Sequence, residues 1–469
     1  MGTIGLSLSL LFSGYLVIRD CRRRRRTVSW AIWIPTILVA ILSSRPASLW
    51  LSGRGARLSM EMANDTAGSA VDQMFYFTIL GSSLAIATIR RMNWAKLLTS
   101  NLALLLFYSY FAVSVAWSSD PMGSTKRLMK DFGLLFVVAV IMTEKDPLEA
   151  MRAIYVRCAI ILLPLSFVFI KWYPNLGRAY GIGGEQMVTG VTTQKNSLGE
   201  IVLIFTLFLI WDYLESHPPG TKFRFKRMPW DLLILAFFGL HLLHLSQSKT
   251  AMVCTMVGSV LLCRTGRFAS RSISRLILLG ALAIPFVVFF AQRFASILGP
   301  LLQALGRNLT FTGRTSIWQH ITLETVNPLI GAGYWNFWGG QGGYKVNLAM
   351  NSIIPNAHNG YVDLYLDGGV IGLSLLAILL LTAGIRIIGK IRAGSPLNRY
   401  ERVRFAFLIA AIIYNVSEST FVRMGPIWFT TLLMVVEYPF PQFALKKRRH
   451  AKPQAQSGEA EQSLALAHL

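Results

Sequence analysis

The chain has 469 residues, of which 53% are hydrophobic and 14% charged, and its mean hydropathy is +0.49. A soluble domain is about a quarter charged, so this balance excludes an ordinary water-soluble fold and points to helices packed in lipid. The formal net charge of +24 would suit a nucleic-acid partner, but it is spread over the flanks of apolar segments without a nucleic-acid-binding motif, and no nucleic acid is expected.

Apolar stretches recur near 2–18, 27–43, 71–89, 95–117, 131–143, 150–170, 197–214, 230–246, 251–263, 276–292, 362–385, 404–416 and 426–438. Most approach the roughly 20 residues that a helix needs to cross hydrocarbon about 30 Å thick. The first could be mistaken for a signal peptide, but its basic cluster follows the apolar run and no small-residue cleavage site appears, so it reads as a retained span. The fold class is therefore an all-α polytopic membrane bundle of about 12–13 transmembrane helices, with a large, partly helical periplasmic loop.

Most of the basic residues fall in alternate connections: 19–26, 90–96, 145–152, 222–227, 264–275, 386–404 and 446–452. The positive-inside rule makes these cytoplasmic in a bacterial inner membrane, with the amino terminus periplasmic and the carboxyl terminus cytoplasmic. Residues 1–440 then form one transmembrane domain that includes a periplasmic loop at 293–361. Residues 441–469, poor in apolar side chains, read as a disordered cytoplasmic tail. The four cysteines, Cys21, Cys158, Cys254 and Cys263, have no metal-ligand spacing and no plausible pairing across the outer face.

Three outer connections are long: 44–70, 171–196 and 293–361. The third contains Thr312-Gly313-Arg314-Thr315-Ser316-Ile317-Trp318, leading into helical spacing from Gln319 to Val326, with Ile317 and Ile321 on one face. Thr312 or Thr315 would cap that helix, placing Arg314 near its amino terminus, where free N–H groups and a guanidinium suit a phosphate. Pairing with a lipid headgroup accounts for the same arginine equally well. A Gly- and aromatic-rich stretch follows, with Trp335 among the rings that could stack on sugars or sit in an interfacial belt. Next, His358-Asn359-Gly360 stands at the mouth of a span, ahead of a short amphipathic segment and a Gly368-Gly369 break. A histidine there has a near-neutral pKa and can take a proton from an attacking hydroxyl.

His358 and Asn359, nine further residues, then Gly369, Val370, Ile371 and Gly372 resemble the closing element of the O-antigen ligases and related lipid-linked polysaccharide polymerases. Arg178 after Tyr173-Pro174-Asn175, the run Thr193-Gln194-Lys195-Asn196-Ser197-Leu198-Gly199, the turn Ser246-Gln247-Ser248-Lys249-Thr250 and the element Asn415-Val416-Ser417-Glu418-Ser419 are similar to that family in the same order. Trp33-Ile34-Pro35, Ser44-Arg45-Pro46 and Trp50-Leu51 look more like the exopolysaccharide-polymerase branch than the classical ligases. The clear resemblance covers roughly 170–425.

It implies a metal-independent glycosyltransferase without a cofactor, acting on undecaprenyl-pyrophosphate-linked oligosaccharide at the periplasmic face. Membrane lipid, a chain-length regulator and a flippase of the same pathway are its implied partners. By resemblance Arg178, Lys195 and Arg314 hold the pyrophosphate, His358 acts as base or orients the acceptor, and Asn359 positions it. Asn196, Lys249 and Trp335 join the substrate site, and Glu418 steers His358 or Lys249. Lys195 departs from the arginine that many ligases carry there, keeping the charge without the bidentate fork. Two other functions fit the composition. A ligase would pass finished glycan to lipid A core. A transporter would use ionisable groups within the membrane, with Arg157, His241 and His244 as candidates.

Overall fold

The computed structural model describes residues 1–53, 69–180, 184–217, 230–264, 270–293, 314–322, 326–391 and 398–438. In chain order the helices are α1 (Gly2–Arg24), α2 (Trp33–Leu42), α3 (Ala47–Ser52), α4 (Ala70–Ile89), α5 (Trp94–Ser100), α6 (Leu102–Ser114), α7 (Pro121–Met142) and α8 (Pro147–Trp172). After the single turn α9 (Pro174–Gly177), strands β1 (Arg178–Tyr180) and β2 (Gln186–Val188) pair antiparallel, with Ala179 opposite Met187. There follow α10 (Lys195–Ser216), α11 (Trp230–Ser246), α12 (Lys249–Cys263), α13 (Arg271–Arg293), α14 (Arg314–Thr322), α15 (Gln341–Met350), α16 (Gly360–Lys390), α17 (Asn398–Tyr414) and α18 (Pro426–Val435). The protein is an all-α polytopic membrane protein.

Local chemistry explains several starts. Asp120 and Asp146 accept from the backbone N–H of Gly123 and Glu149, and each is followed by a proline whose fixed φ suits the first helical position. Each of the thirteen apolar stretches contains α-helix. Among the described residues, however, five helices are long and apolar enough to cross a membrane: α1, α4, α8, α10 and α16. A sixth crosses if α5 and the segment Leu102–Trp117, bent by 95°, count as one span. The bend centres on Asn101, whose amide donates to Leu97 O at 2.7 Å and Glu437 O at 2.9 Å. The expected span at 426–438 is the ten-residue α18, only about 15 Å long at 1.5 Å per residue.

Helix α8 is the hub, packing against α1, α2, α10 and α11. Its charges are paired at one end of the bundle. Arg24, 1% exposed, bonds Asp20, Glu149 and Asp212 at 2.6–2.7 Å, and Arg157 bonds the second oxygen of Asp20 at 2.8 Å while lying over Trp33. The intramembrane arginine that suited a transporter thus has a partner on α1. His241 stacks on Phe237 and packs near Phe167.

Within α16, Gly369 leaves helical geometry at φ 61° and ψ −163°. The segment before Tyr334 takes up the freed groups: Val370 N and Ile371 N donate to Pro328 O and Leu329 O, and Ala332 N and Gly333 N donate to Leu366 O and Asp367 O. Tyr110 Oη donates to Gly368 O at 2.6 Å. A Cβ on Gly369 would stand 2.3 Å from the carbonyl carbon of Leu329. Gly369→Ala should therefore cost roughly 3 kcal/mol or more through backbone strain and forced separation of the two segments. Thermal unfolding in detergent checks this, and a wild-type midpoint would show that the break carries no strain.

The described part of the long 293–361 connection comprises Arg293, α14, the coil between Val326 and Gln341, α15, the coil from Asn351 to Asn359 and the first residues of α16. Residues 294–313, which include the expected Thr312 cap, and the 441–469 tail lie outside the described residues.

Candidate functional site

Five helices begin around one short turn, residues 415–425. Four of them start at residues the sequence singled out, or immediately beside one: α10 at Lys195, α12 at Lys249, α14 at Arg314 and α16 at Gly360. The fifth, α18, starts at Pro426. Aligned peptide dipoles make such ends partly positive, although α16 spends its first N–H groups on Asn415, Glu418 and the Asn359 cap, and Ser248 caps α12.

Glu418, 8% exposed, lies at the centre of the group. Its Oε1 accepts from Asn196 Nδ2 at 2.8 Å and Arg314 Nη2 at 2.9 Å, and its Oε2 is 3.9 Å from His358 Nδ1. Arg314 Nη1 also donates to His358 O at 3.4 Å. Thr250 Oγ1, next to Lys249, meets Ser417 Oγ at 2.6 Å. Gly360 N donates to both Asn415 O and Glu418 O, so the turn and the start of α16 are locked together. Gly199 permits the first turns of α10 and α12 to touch, since a Cβ there would be 2.8 Å from those of Ser248 and Ala251.

His358 has a left-handed backbone at φ 50°, its N–H donates to Asn356 Oδ1, and its side chain remains 30% exposed. Asn359 uses its side-chain oxygen to accept from Tyr361 N and Val362 N, capping α16 and aiming the preceding histidine. Among the described residues helix α14 runs from Arg314 to Thr322, and Trp318 Nε1 donates to Ala357 O at 2.8 Å. That bond ties the arginine helix to the histidine turn.

The other expected residues are placed less centrally. Lys195 is half-buried beside Asn196, and Lys249 is exposed. Arg178 bonds Ile170 O and Gln186 Oε1, neither of which belongs to the Glu418 group. Trp335 donates to Val422 O, and the guanidinium of Arg423 lies 4.5 Å from its ring centroid, so the indole already carries a protein cation.

Sequence reading missed Asp363 and Asp367, one helical turn apart inside the nine-residue spacer. Asp363 accepts from Trp338 Nε1 at 2.7 Å, Ala357 N at 2.9 Å, Arg423 Nη2 at 2.8 Å and the Ser419 hydroxyl. Asp367 accepts from the N–H groups of Asn336 and Phe337 at 3.1 Å. Together they fold the aromatic stretch onto α16. Two carboxylates at helical spacing on an otherwise apolar segment were the available signal. Among the described residues no group of three His, Cys, Asp or Glu could hold a metal ion.

Residues 233–377, which contain Arg314, His358, Asn359 and the Gly369–Gly372 element, match the O-antigen ligase family. Over 293 residues the chain is 25% identical to the exopolysaccharide production protein ExoQ of Rhizobium meliloti (strain 1021). That match covers 61% of this chain and 64% of the relative, so the chain spans a little under two thirds of the curated protein it matches. Together, these similarities show that residues 233–377 are similar to the O-antigen ligases and that the chain more widely is similar to an exopolysaccharide production protein.

Proposed function

We propose that the protein is an exopolysaccharide polymerase that transfers undecaprenyl-pyrophosphate-linked oligosaccharide onto a glycan acceptor at the periplasmic face of the inner membrane. The observation that carries this is the gathering of Arg314, Lys195 and Lys249, with the starts of α10 and α12, around Glu418 and His358. Such a surface suits a diphosphate, whose charge grows as it leaves.

In the transfer, an acceptor hydroxyl oxygen bonds to the anomeric carbon as the bond from that carbon to the phosphate oxygen breaks. Undecaprenyl pyrophosphate departs, steadied by Arg314, Lys195 and the helix ends. His358 takes the hydroxyl proton, and Glu418 beside Nδ1 favours the imidazolium that results. Pyrophosphate is already a good leaving group, so no acid is needed. Glu418 also occupies Arg314 in the resting site, so the incoming diphosphate competes with it for that guanidinium.

The alternation of basic connections supports a periplasmic position for the starts of α10, α12, α14 and α16, with the amino terminus outside and the carboxyl terminus inside. A chain-length regulator and a flippase are the expected partners. The family match favours one second reading, a ligase that delivers glycan to lipid A core. A deletion strain separates them. Loss of long secreted polymer with accumulation of single repeat units is the expected result, whereas intact polymer left off lipopolysaccharide would replace the polymerase by the ligase.

A further inference from the structure

Arg45 stands between α2 and α3, far in sequence from every residue of the site, and is 2% exposed. Its guanidinium donates to three backbone carbonyls of the 171–196 connection: Leu176 O, Gly190 O at 3.1 Å and Val191 O at 3.2 Å. It also lies over the Phe169 ring at 5.8 Å. No carboxylate pairs with it among the described residues. Burial without a counter-charge pulls its pKa down to about 10, which still leaves it charged at neutral pH.

The three carbonyls belong to the two ends of the connection. Leu176 precedes β1, while Gly190 and Val191 follow β2, so one planar fork closes the loop at its neck. The neck has no slack. Gly190 is at φ 58° with Ser166 against it, and a Cβ on Gly177 would meet the Phe169 backbone at 2.3 Å. From Val191 the constraint reaches the site in a few residues. Thr192 Oγ1 bridges Thr189 O at 2.7 Å and Gln194 O at 2.9 Å, and Gln194 is the residue from which Lys195 and Asn196 open α10.

We propose that Arg45 is a positioning residue that sets the amino terminus of α10, and so places Lys195 for the anionic diphosphate of the donor; this rests on the function proposed above. Arginine suits the task because its rigid fork can serve three separated acceptors, which a lysine ammonium on a flexible stem cannot hold in one geometry.

The test is donor affinity, measured on the full-length protein in detergent with a synthetic undecaprenyl-pyrophosphate-linked repeat unit, beside the melting temperature of each variant. Arg45→Lys and Lys195→Gln should each weaken binding about tenfold, and the double variant should bind no worse than either single one, because both act through one contact. A merely structural role would lower the melting temperature and weaken binding by the same factor with or without the Lys195→Gln substitution. Multiplying losses, or wild-type affinity in Arg45→Lys, would overturn the proposal. If Arg45→Lys does not fold, Thr192→Val cuts the same path downstream and should behave alike, with wild-type binding again overturning it. Failure of the underlying reading looks different: the wild-type protein would not bind the diphosphate donor at all.

Discussion

His358→Asn should lower polymer formation by about 10³-fold while leaving the protein at its normal level in the membrane, the size expected for loss of a general base. Asparagine is the informative replacement. His358 sits at φ 50°, a backbone region that asparagine tolerates and alanine does not, so the variant removes the imidazole without adding strain. The fold around it is held by other groups: Asn359 caps α16, Trp318 Nε1 bonds Ala357 O, and Asp363 accepts from Ala357 N. Quantifying secreted polymer beside immunoblotted membrane protein decides the matter. Normal polymer from His358→Asn would remove the histidine from the chemistry.

Glu418→Ala carries the second large effect, and it should strike both stability and activity. Arg314, with 14% of its side chain exposed, would lose its carboxylate, Asn196 its acceptor and His358 its neighbouring charge. Removing one partner from a mostly buried pair costs about 3–5 kcal/mol because the other charge is left uncompensated. Glu418→Gln separates the two roles. It keeps the volume and one acceptor oxygen for Asn196 or Arg314, so most of the stability should survive while polymer formation falls by about 10²-fold through the lost charge beside His358. Melting temperature and polymer yield, measured on both variants, distinguish these outcomes. A glutamine variant with full activity would reduce Glu418 to a structural clasp.

Much of this was legible in the sequence because lipid simplifies the code. Apolar length and basic flanks are one-dimensional signals, and each of the thirteen stretches marked by hydropathy contains helix. The hydropathy signal fails on span length, since it ignores where a helix bends or stops. Asn101 breaks one stretch by bonding sideways to Glu437, and α18 ends after ten residues.

The candidate site was legible where chemistry and spacing coincide, at Arg314 and at His358-Asn359-x9-Gly369. The role of Asn359 was less so, because an N-cap and a substrate ligand have the same sequence signature just before a helix. Glu418 was visible only as a weak candidate, since its importance comes from three contacts more than 50 residues away in the chain. The roles of Asp363, Asp367 and Arg45 escape sequence reading for a related reason. Each bonds mainly to backbone atoms or to groups in another segment, and backbone acceptors and donors leave no trace in residue identity.

The central claim is that the Glu418 cluster transfers glycan from a lipid diphosphate. The most direct measurement uses purified protein in liposomes, supplied with defined undecaprenyl-pyrophosphate-linked repeat units and no ion gradient, reading product length on a gel. The account predicts a ladder of lengthened lipid-linked glycan from the wild type and none from Arg314→Ala. Unchanged substrate with correctly folded wild-type protein, or an equal ladder from Arg314→Ala, would contradict it.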